Sequence, residues 1–360
     1  MSEPHVHPPG ETSDHDHDPD ESGLRGWLRH AFTPHSHDPG AGFDSALESS
    51  AKGVFAVKVS LAALMITALV QLGLVWLTGS TALLADTIHN FSDALTSVPL
   101  WIAFVIGRRA ANRRYTYGYG RAEDLAGLFV VTMIALSAVL VGWESVQRLF
   151  EPAEISSLWL VAAAGVVGFA GNELVAIYRI RVGNEIGSQA LIADGLHART
   201  DGLTSIAVVV AAAGVWLGFP LADPLIGLVI TAVILWILRD AARAVFRRLM
   251  DAVDPTLVGD IERVAAGVEG VIEVEKVRVR WMGHRLIASA DLVVDCQFTV
   301  AQGHDIAEAV RHALFHEVRG LDTVIVHLDP CEHEGSDHHA ETRSHDETLA
   351  PLRMDPREDG

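Results

Sequence analysis

Leu83-Leu84-Ala85-Asp86-Thr87-Ile88-His89-Asn90-Phe91-Ser92-Asp93-Ala94-Leu95-Thr96-Ser97 and Leu191-Ile192-Ala193-Asp194-Gly195-Leu196-His197-Ala198-Arg199-Thr200-Asp201-Gly202-Leu203-Thr204-Ser205 are two copies of one pattern. Each contains D-x-x-H-x-x-x-D followed by x-L-T-S, and the offset is the same 108 residues from His89 to His197 and from Asp93 to Asp201. Each copy sits inside an apolar segment long enough to cross a bilayer. An ionisable group at that depth costs roughly 2.5–3.5 kcal/mol on insertion scales, so such residues are functional candidates by default. In a helix, a His and an Asp four residues apart lie one turn apart on one face. The two pairs together offer two nitrogens and two oxygens, a set that suits a divalent ion such as Zn2+. One such pair alone could equally be an interhelical hydrogen bond. Two copies at one offset favour a shared site. Asp86 and Asp194 repeat as well, three residues before each His. They are candidates for an ion path or for support of the imidazole, with an ordinary polar contact near a helix end as the alternative.

Outward from the two copies, the chain has six apolar segments, at about residues 54–77, 81–106, 125–146, 158–178, 189–217 and 221–238. Each is near or above the roughly 20 residues that a spanning helix needs. The second and fifth carry the repeated pattern. Arginines alternate between the connections. Arg108, Arg109, Arg113, Arg114 and Arg121 fall between the second and third segments, Arg179 and Arg181 between the fourth and fifth, and Arg239, Arg243, Arg247 and Arg248 after the sixth. Arg148 is the only basic residue near the loop joining the third and fourth. Positive loops stay in the cytoplasm, which predicts both termini inside.

The formal charge of −19 sits mostly in the tails. Residues 1–50 hold ten Asp and Glu against two Arg, and residues 329–360 hold ten against three. That distribution argues against a nucleic-acid partner. The first tail, with His5, His7, His15, His17, His35 and His37 among acids and prolines, is too polar to bury a core and is expected to be disordered. Metal capture near the pore and a simple solvated tail are both open for it. Residues 23–32 could form a short amphipathic helix on the membrane surface. The polar N-terminus shows no cleavable signal peptide. Cys296 and Cys331 give neither a disulfide framework nor a C-x-x-C site.

From Asp251 the composition becomes that of a soluble domain. Asp254-Pro255-Thr256 starts a helix. Val277 and Val279 alternate with Arg278 and Arg280 in a strand over residues 271–281. Gly283-His284 is a turn before a second strand over 286–294. Residues 304–318 form a helix and 323–328 a third strand. The order αββαβ predicts a small α+β domain with its helices on one face of the sheet. The expected organisation is a 1–50 tail, a six-helix membrane domain over 51–248, the αββαβ domain over 249–331 and an acidic, His-containing tail over 332–360.

The paired H-x-x-x-D motifs, Tyr115-Thr116-Tyr117-Gly118-Tyr119-Gly120-Arg121-Ala122-Glu123 and the terminal His327-Leu328-Asp329-Pro330 resemble the cation diffusion facilitator family of zinc and other divalent-metal exporters, over roughly residues 50–332. The resemblance implies an α-helical membrane protein with six transmembrane helices and a C-terminal cytoplasmic, ferredoxin-like αββαβ domain. It also implies a homodimer in the cell membrane and metal-for-proton antiport by alternating access. His89, Asp93, His197 and Asp201 are then the transport site, and His at the first position is associated with zinc over cadmium. Some bacterial relatives hold an extra metal in the second-to-third loop through Asp and two His. Here Asn112, Tyr115 and Tyr119 stand there, so that site is expected to be absent. In the C-terminal domain His304, His327 and Asp329 match a zinc site of relatives, but Glu275 and Ala290 replace two of its usual His. One ion there, with help from Glu275, His284 or Cys331, and plain surface histidines both remain open. His312 and His316 are one turn apart on a solvated helix face.

The sequence therefore predicts Zn2+/H+ exchange rather than an enzyme. No H-E-x-x-H is present, which argues against an intramembrane metalloprotease. The competing expectations are Co2+, Ni2+, Fe2+ or Cd2+ as cargo, since N2O2 chemistry does not exclude them, or a membrane zinc sensor without transport.

Overall fold

The computed structural model describes residues 42–78, 91, 95–150, 158–219 and 221–331. Among these residues the chain runs α1 (Gly42–Thr78), α2 (Val98–Gly107), α3 (Arg121–Phe150), α4 (Leu158–Ile186), α5 (Gln189–Trp216), α6 (Ala222–Leu249), α7 (Pro255–Ala266), β1 (Val271–Met282), β2 (Arg285–Val294), α8 (Val300–Glu317) and β3 (Leu321–Pro330). The expected surface helix over 23–32 and both His-containing tails lie outside the described residues.

Four helices among the described residues are long and apolar enough to cross a bilayer: Glu48–Gly73 within α1, then α3, α5 and α6. The 29 residues of α4 reach about 43 Å at 1.5 Å per residue, beyond the roughly 30 Å hydrocarbon core. Of the segment expected over 81–106, α2 is the described helical part. Outward-facing Phe55, Ile66, Leu140, Trp143, Val229 and Trp236 are exposed apolar side chains. On a soluble surface such a band would be a liability, and in a bilayer it is the contact with lipid.

The helices outrun the apolar segments that announced them. α3 begins at Arg121, α4 continues to Ile186 and α6 to Leu249. The bilayer limits the apolar composition and not the helix, and Ala, Arg and Glu propagate helix well in water. Arg179 and Arg181, expected in a loop, therefore lie inside α4, and only Gly187-Ser188 separates α4 from α5. Gly187 takes φ 72° at that turn.

Small residues let the helices approach, as expected where lipid offers no hydrophobic drive between them. A Cβ on Gly165 of α4 would lie 2.6 Å from Val209 Cγ2 of α5. A Cβ on Gly195 of α5 would lie 2.7 Å from Ile180 Cγ1 of α4. One on Gly171 would meet Thr67 Oγ1 of α1 at 2.6 Å. Apolar packing then closes around three foci among the described residues, one of them Leu64, Val175, Ala176 and Ala198 between α1, α4 and α5. Val57, Leu100, Phe104, Ile186 and Leu191 join α1, α2, α4 and α5, while Val130, Ile134, Ala193, Ile234 and Val245 join α3, α5 and α6.

The C-terminal domain is the expected αββαβ unit. β1 pairs antiparallel with β2, and β2 pairs parallel with β3, so β2 is central. Leu286, Ala288, Ala290 and Leu292 alternate along β2 onto one face, where Ile261 and Ala265 of α7 and Val310 and Leu314 of α8 complete the core. Asp254 caps α7 by accepting from the Thr256 N–H. Thr299 and Gln302 form a reciprocal capping box that starts α8 at Val300, four residues before the expected His304 start.

The β1–β2 turn fastens this domain to the helices. Gly283, with φ 61°, donates its N–H to Asp124 Oδ2 at 3.1 Å, and its carbonyl accepts from Arg248 Nη2 at 2.6 Å. The same Arg248 nitrogen reaches the Gly187 carbonyl at 2.6 Å, and its guanidinium lies 4.2 Å from the Trp281 ring centre. His284 Nδ1 is 2.7 Å from Glu123 Oε2, and its Nε2 is 3.0 Å from Ser50 Oγ. Arg121 bridges Asp124 at 3.4 Å and Asp251 at 2.5 Å.

Candidate metal centre

The second copy of the repeated pattern lies on α5, whose N-terminus is set by Ser188. The Ser188 hydroxyl accepts from the Leu191 N–H at 3.2 Å, satisfying one of the first-turn donors of the helix. From there Asp194, His197 and Asp201 follow at helical spacing and are all buried. His197 Nδ1 and Asp201 Oδ2 lie 3.7 Å apart, with side chains 3% and 5% exposed. An imidazole and a carboxylate thus share one face of a membrane-crossing helix. The trailing hydroxyls of the motif have a local use. Thr200 Oγ1 donates to the His197 carbonyl at 2.7 Å, while Thr204 and Ser205 donate to the Asp201 carbonyl at 2.7 and 3.0 Å. Such back-bonds occupy the carbonyls of His197 and Asp201 and tend to bend a helix.

His89, Asp93 and Asp86 lie outside the described residues. Asp194 is buried on α5, and its Oδ2 lies 2.9 Å from Arg179 Nη1 of α4, an ion pair. Arg179 is 1% exposed and also lies in the field of Asp201. A buried guanidinium close to two buried carboxylates partly balances them, so less negative charge is left for an ion to neutralise. Arg179 was not singled out from sequence, because an Arg at the end of an apolar segment resembles a topology signal. One further α4 group stands beside the α5 motif. Asn172 is 3% exposed, its Oδ1 has no hydrogen-bond partner among the described residues, and its Cβ would be 3.3 Å from a Cβ on Gly202, the residue after Asp201. Glu173 of α4 grips Arg199 of α5 with both oxygens, at 2.8 and 3.2 Å. α4 is continuous through Asn172-Glu173.

The loop after α2 is knitted to itself. Asn112 Oδ1 accepts the N–H groups of Arg114 and Tyr115 at 2.9 Å, Asn112 Nδ2 donates to Tyr119 Oη at 2.8 Å, and the Tyr115 and Tyr119 rings are 4.7 Å apart. In the C-terminal domain His327 Nε2 and Asp329 Oδ1 are brought to 3.2 Å. His304 is exposed in the first turns of α8. His284 is engaged by Glu123 and Ser50. His312 and His316 stack edge to face at 4.4 Å.

The cation efflux transmembrane domain model matches residues 57–250, and that of the cation efflux protein, cytoplasmic domain, matches residues 253–331. A probable cation efflux system protein of Mycobacterium tuberculosis is 56% identical over 325 residues, 90% of this chain and 97% of that protein. The cation-efflux pump FieF of Serratia proteamaculans is 31% identical over 258 residues, 71% of this chain and 85% of the pump. The magnetosome protein MamB of Paramagnetospirillum magneticum is 30% identical over 257 residues, covering 71% and 86%. Among solved structures, the nickel form of a MamM C-terminal-domain variant is 30% identical and covers 22% of this chain and 100% of that one, with a TM-score of 0.22. With a helical membrane domain and a cytoplasmic α+β domain both matched, the chain belongs to the cation efflux family, membrane transporters of divalent metal cations.

Proposed function

We propose that this protein exports Zn2+ from the cytoplasm in exchange for protons, with His89, Asp93, His197 and Asp201 as the ligands of the transported ion. The observation that carries this is the His197–Asp201 pair, 3.7 Å apart and buried on a membrane-crossing helix. Deprotonated imidazole and carboxylate bind the cation on the cytoplasmic side, and the helices then rearrange to open the site outward. Protons from outside compete for the same lone pairs and release the metal. Imidazole titrates near pH 6.5 when unperturbed, so His89 and His197 are the natural proton carriers. Asp86 and Asp194 support the site, Asp194 through its tie to Arg179.

The arginine asymmetry supports both termini in the cytoplasm, and the protein acts as a homodimer in the cell membrane. In the C-terminal domain, His327 and Asp329 place an imidazole beside a carboxylate, a donor pair that fits Zn2+. Exposed His304 is the third expected donor. Competition transport in reconstituted vesicles tests the cargo. Zn2+ outcompeting equimolar Cd2+ and Co2+ supports the assignment. Cd2+ or Co2+ suppressing Zn2+ flux would overturn zinc selectivity while leaving cation efflux intact.

A further inference from the structure

The two cysteines of the chain, Cys296 and Cys331, are 35 positions apart in sequence and have no role in the transport reading. The fold brings them together. β2 and β3 are parallel neighbours whose register ends at Val294 opposite Pro330, so the residues that leave these two strand ends are neighbours. Cys331 is held there by its N–H, which donates to the Val294 carbonyl at 2.8 Å. Cys296 is held by its own N–H, which donates to Cys331 Sγ at 3.3 Å. Asp295 sits in the same turn. Its Oδ1 accepts from the Gln297 N–H at 2.8 Å, which orients the carboxylate. One donor atom from each of Asp295, Cys296 and Cys331 lies within 4.8 Å of the others, and the cysteines are not joined in a disulfide.

We propose that Asp295, Cys296 and Cys331 form a thiolate-rich site for a d10 divalent cation, Zn2+ or Cd2+, at the ends of β2 and β3. Two sulfurs and one oxygen make three of the four corners of a tetrahedral site, and the fourth is open to water. Thiolate ligands select the softer metals over Mg2+ or Ca2+. The Cys296 N–H at 3.3 Å holds Cys331 Sγ in place beside Cys296. Without metal the hydrogen bond with Cys331 raises the Cys296 thiol above its ordinary value, which opposes its ionisation. A dication removes that conflict, since it binds both sulfurs as thiolates and releases their protons. The site uses none of His304, His327 or Asp329 and none of the transport ligands, so it stands or falls apart from the proposed function.

The test exploits the cysteine count. Any metal–thiolate charge-transfer band from the reduced full-length protein in detergent must involve Cys296 or Cys331, whereas the transport ligands carry no sulfur. Co2+ is the optical probe, followed by displacement with Zn2+. The expected result is a near-ultraviolet thiolate-to-Co2+ band that saturates at one ion per chain and is bleached by Zn2+. Cys296→Ser and Cys331→Ser should each remove it. Asp295→Asn should keep a band but weaken Co2+ binding by about tenfold or more. Each variant is checked for an unchanged size-exclusion profile. His197→Ala/Asp201→Ala should leave the band untouched. Absence of the band in the reduced wild-type chain would overturn the site, as would its persistence in Cys296→Ser.

Discussion

Arg179 Nη1 and Asp194 Oδ2 lie 2.9 Å apart with their side chains 2% and 0% exposed, so α4 and α5 are tied by a buried ion pair one helical turn from His197. Breaking one side of such a pair leaves an uncompensated charge and costs roughly 3–5 kcal/mol. Arg179→Leu is expected to destabilise the protein by about that much, and Arg179→Leu/Asp194→Leu to recover most of it. Denaturant unfolding of the detergent-solubilised protein measures both. Equal losses in the single and double variants would contradict the pairing. The Glu173–Arg199 pair, about a third exposed, is expected to give a smaller loss in Arg199→Ala than the one in Arg179→Leu.

The contact between the membrane and cytoplasmic domains makes a second expectation. A Cβ on Gly120 would lie 2.8 Å from the Met282 carbonyl, and one on Gly283 would lie 2.8 Å from the Gly120 carbonyl at φ 61°. Backbone cannot yield as a side-chain tip can, and a non-glycine residue held at positive φ costs of order 1–3 kcal/mol. Gly283→Ala should therefore lower the unfolding midpoint. Gly259→Ala, exposed on α7 with nothing within 4 Å, should raise stability by roughly 0.5–1 kcal/mol. Thermal unfolding of the two variants side by side checks the contrast. A Gly283→Ala midpoint at or above wild type would show that the turn is not seated against Gly120.

A third expectation concerns acid. The Thr256 hydroxyl and N–H both donate to Asp254 Oδ1, and these bonds hold the Asp254 carboxyl below its ordinary value of 3.8. A carboxylate whose pKa is depressed by folding contributes stability above its unfolded pKa and loses it as pH falls through the folded value. Asp254→Ala should unfold at lower temperature than wild type at neutral pH. The gap should close as pH drops below 3.8. A gap independent of pH would mean that the cap does not act through the ionised carboxylate.

The repeated motif was legible because a bilayer makes His and Asp expensive, so each polar interruption stands out against its apolar surroundings. β1 was legible through the alternation of Val277 and Val279 with arginines. The start of α8 was written in the Thr299-x-x-Gln302 capping-box pattern, but the expected range followed the inward-facing residues, which begin only at Ile306. Arg179 was read as a loop charge because its partner Asp194 lies across the α4–α5 turn, and no local pattern links the two. The Cys296–Cys331 neighbourhood was invisible for the same kind of reason. It is made by parallel pairing of β2 and β3, and sequence spacing carries no trace of it.

The most direct test of the account is Zn2+ flux driven by a pH gradient into liposomes that contain a zinc dye, comparing wild type with Asp201→Ala and Asp93→Ala. The account predicts proton-coupled flux in wild type and its loss in both variants, each still folded by size exclusion. Flux at the wild-type rate in either variant would contradict the assignment of the transport site.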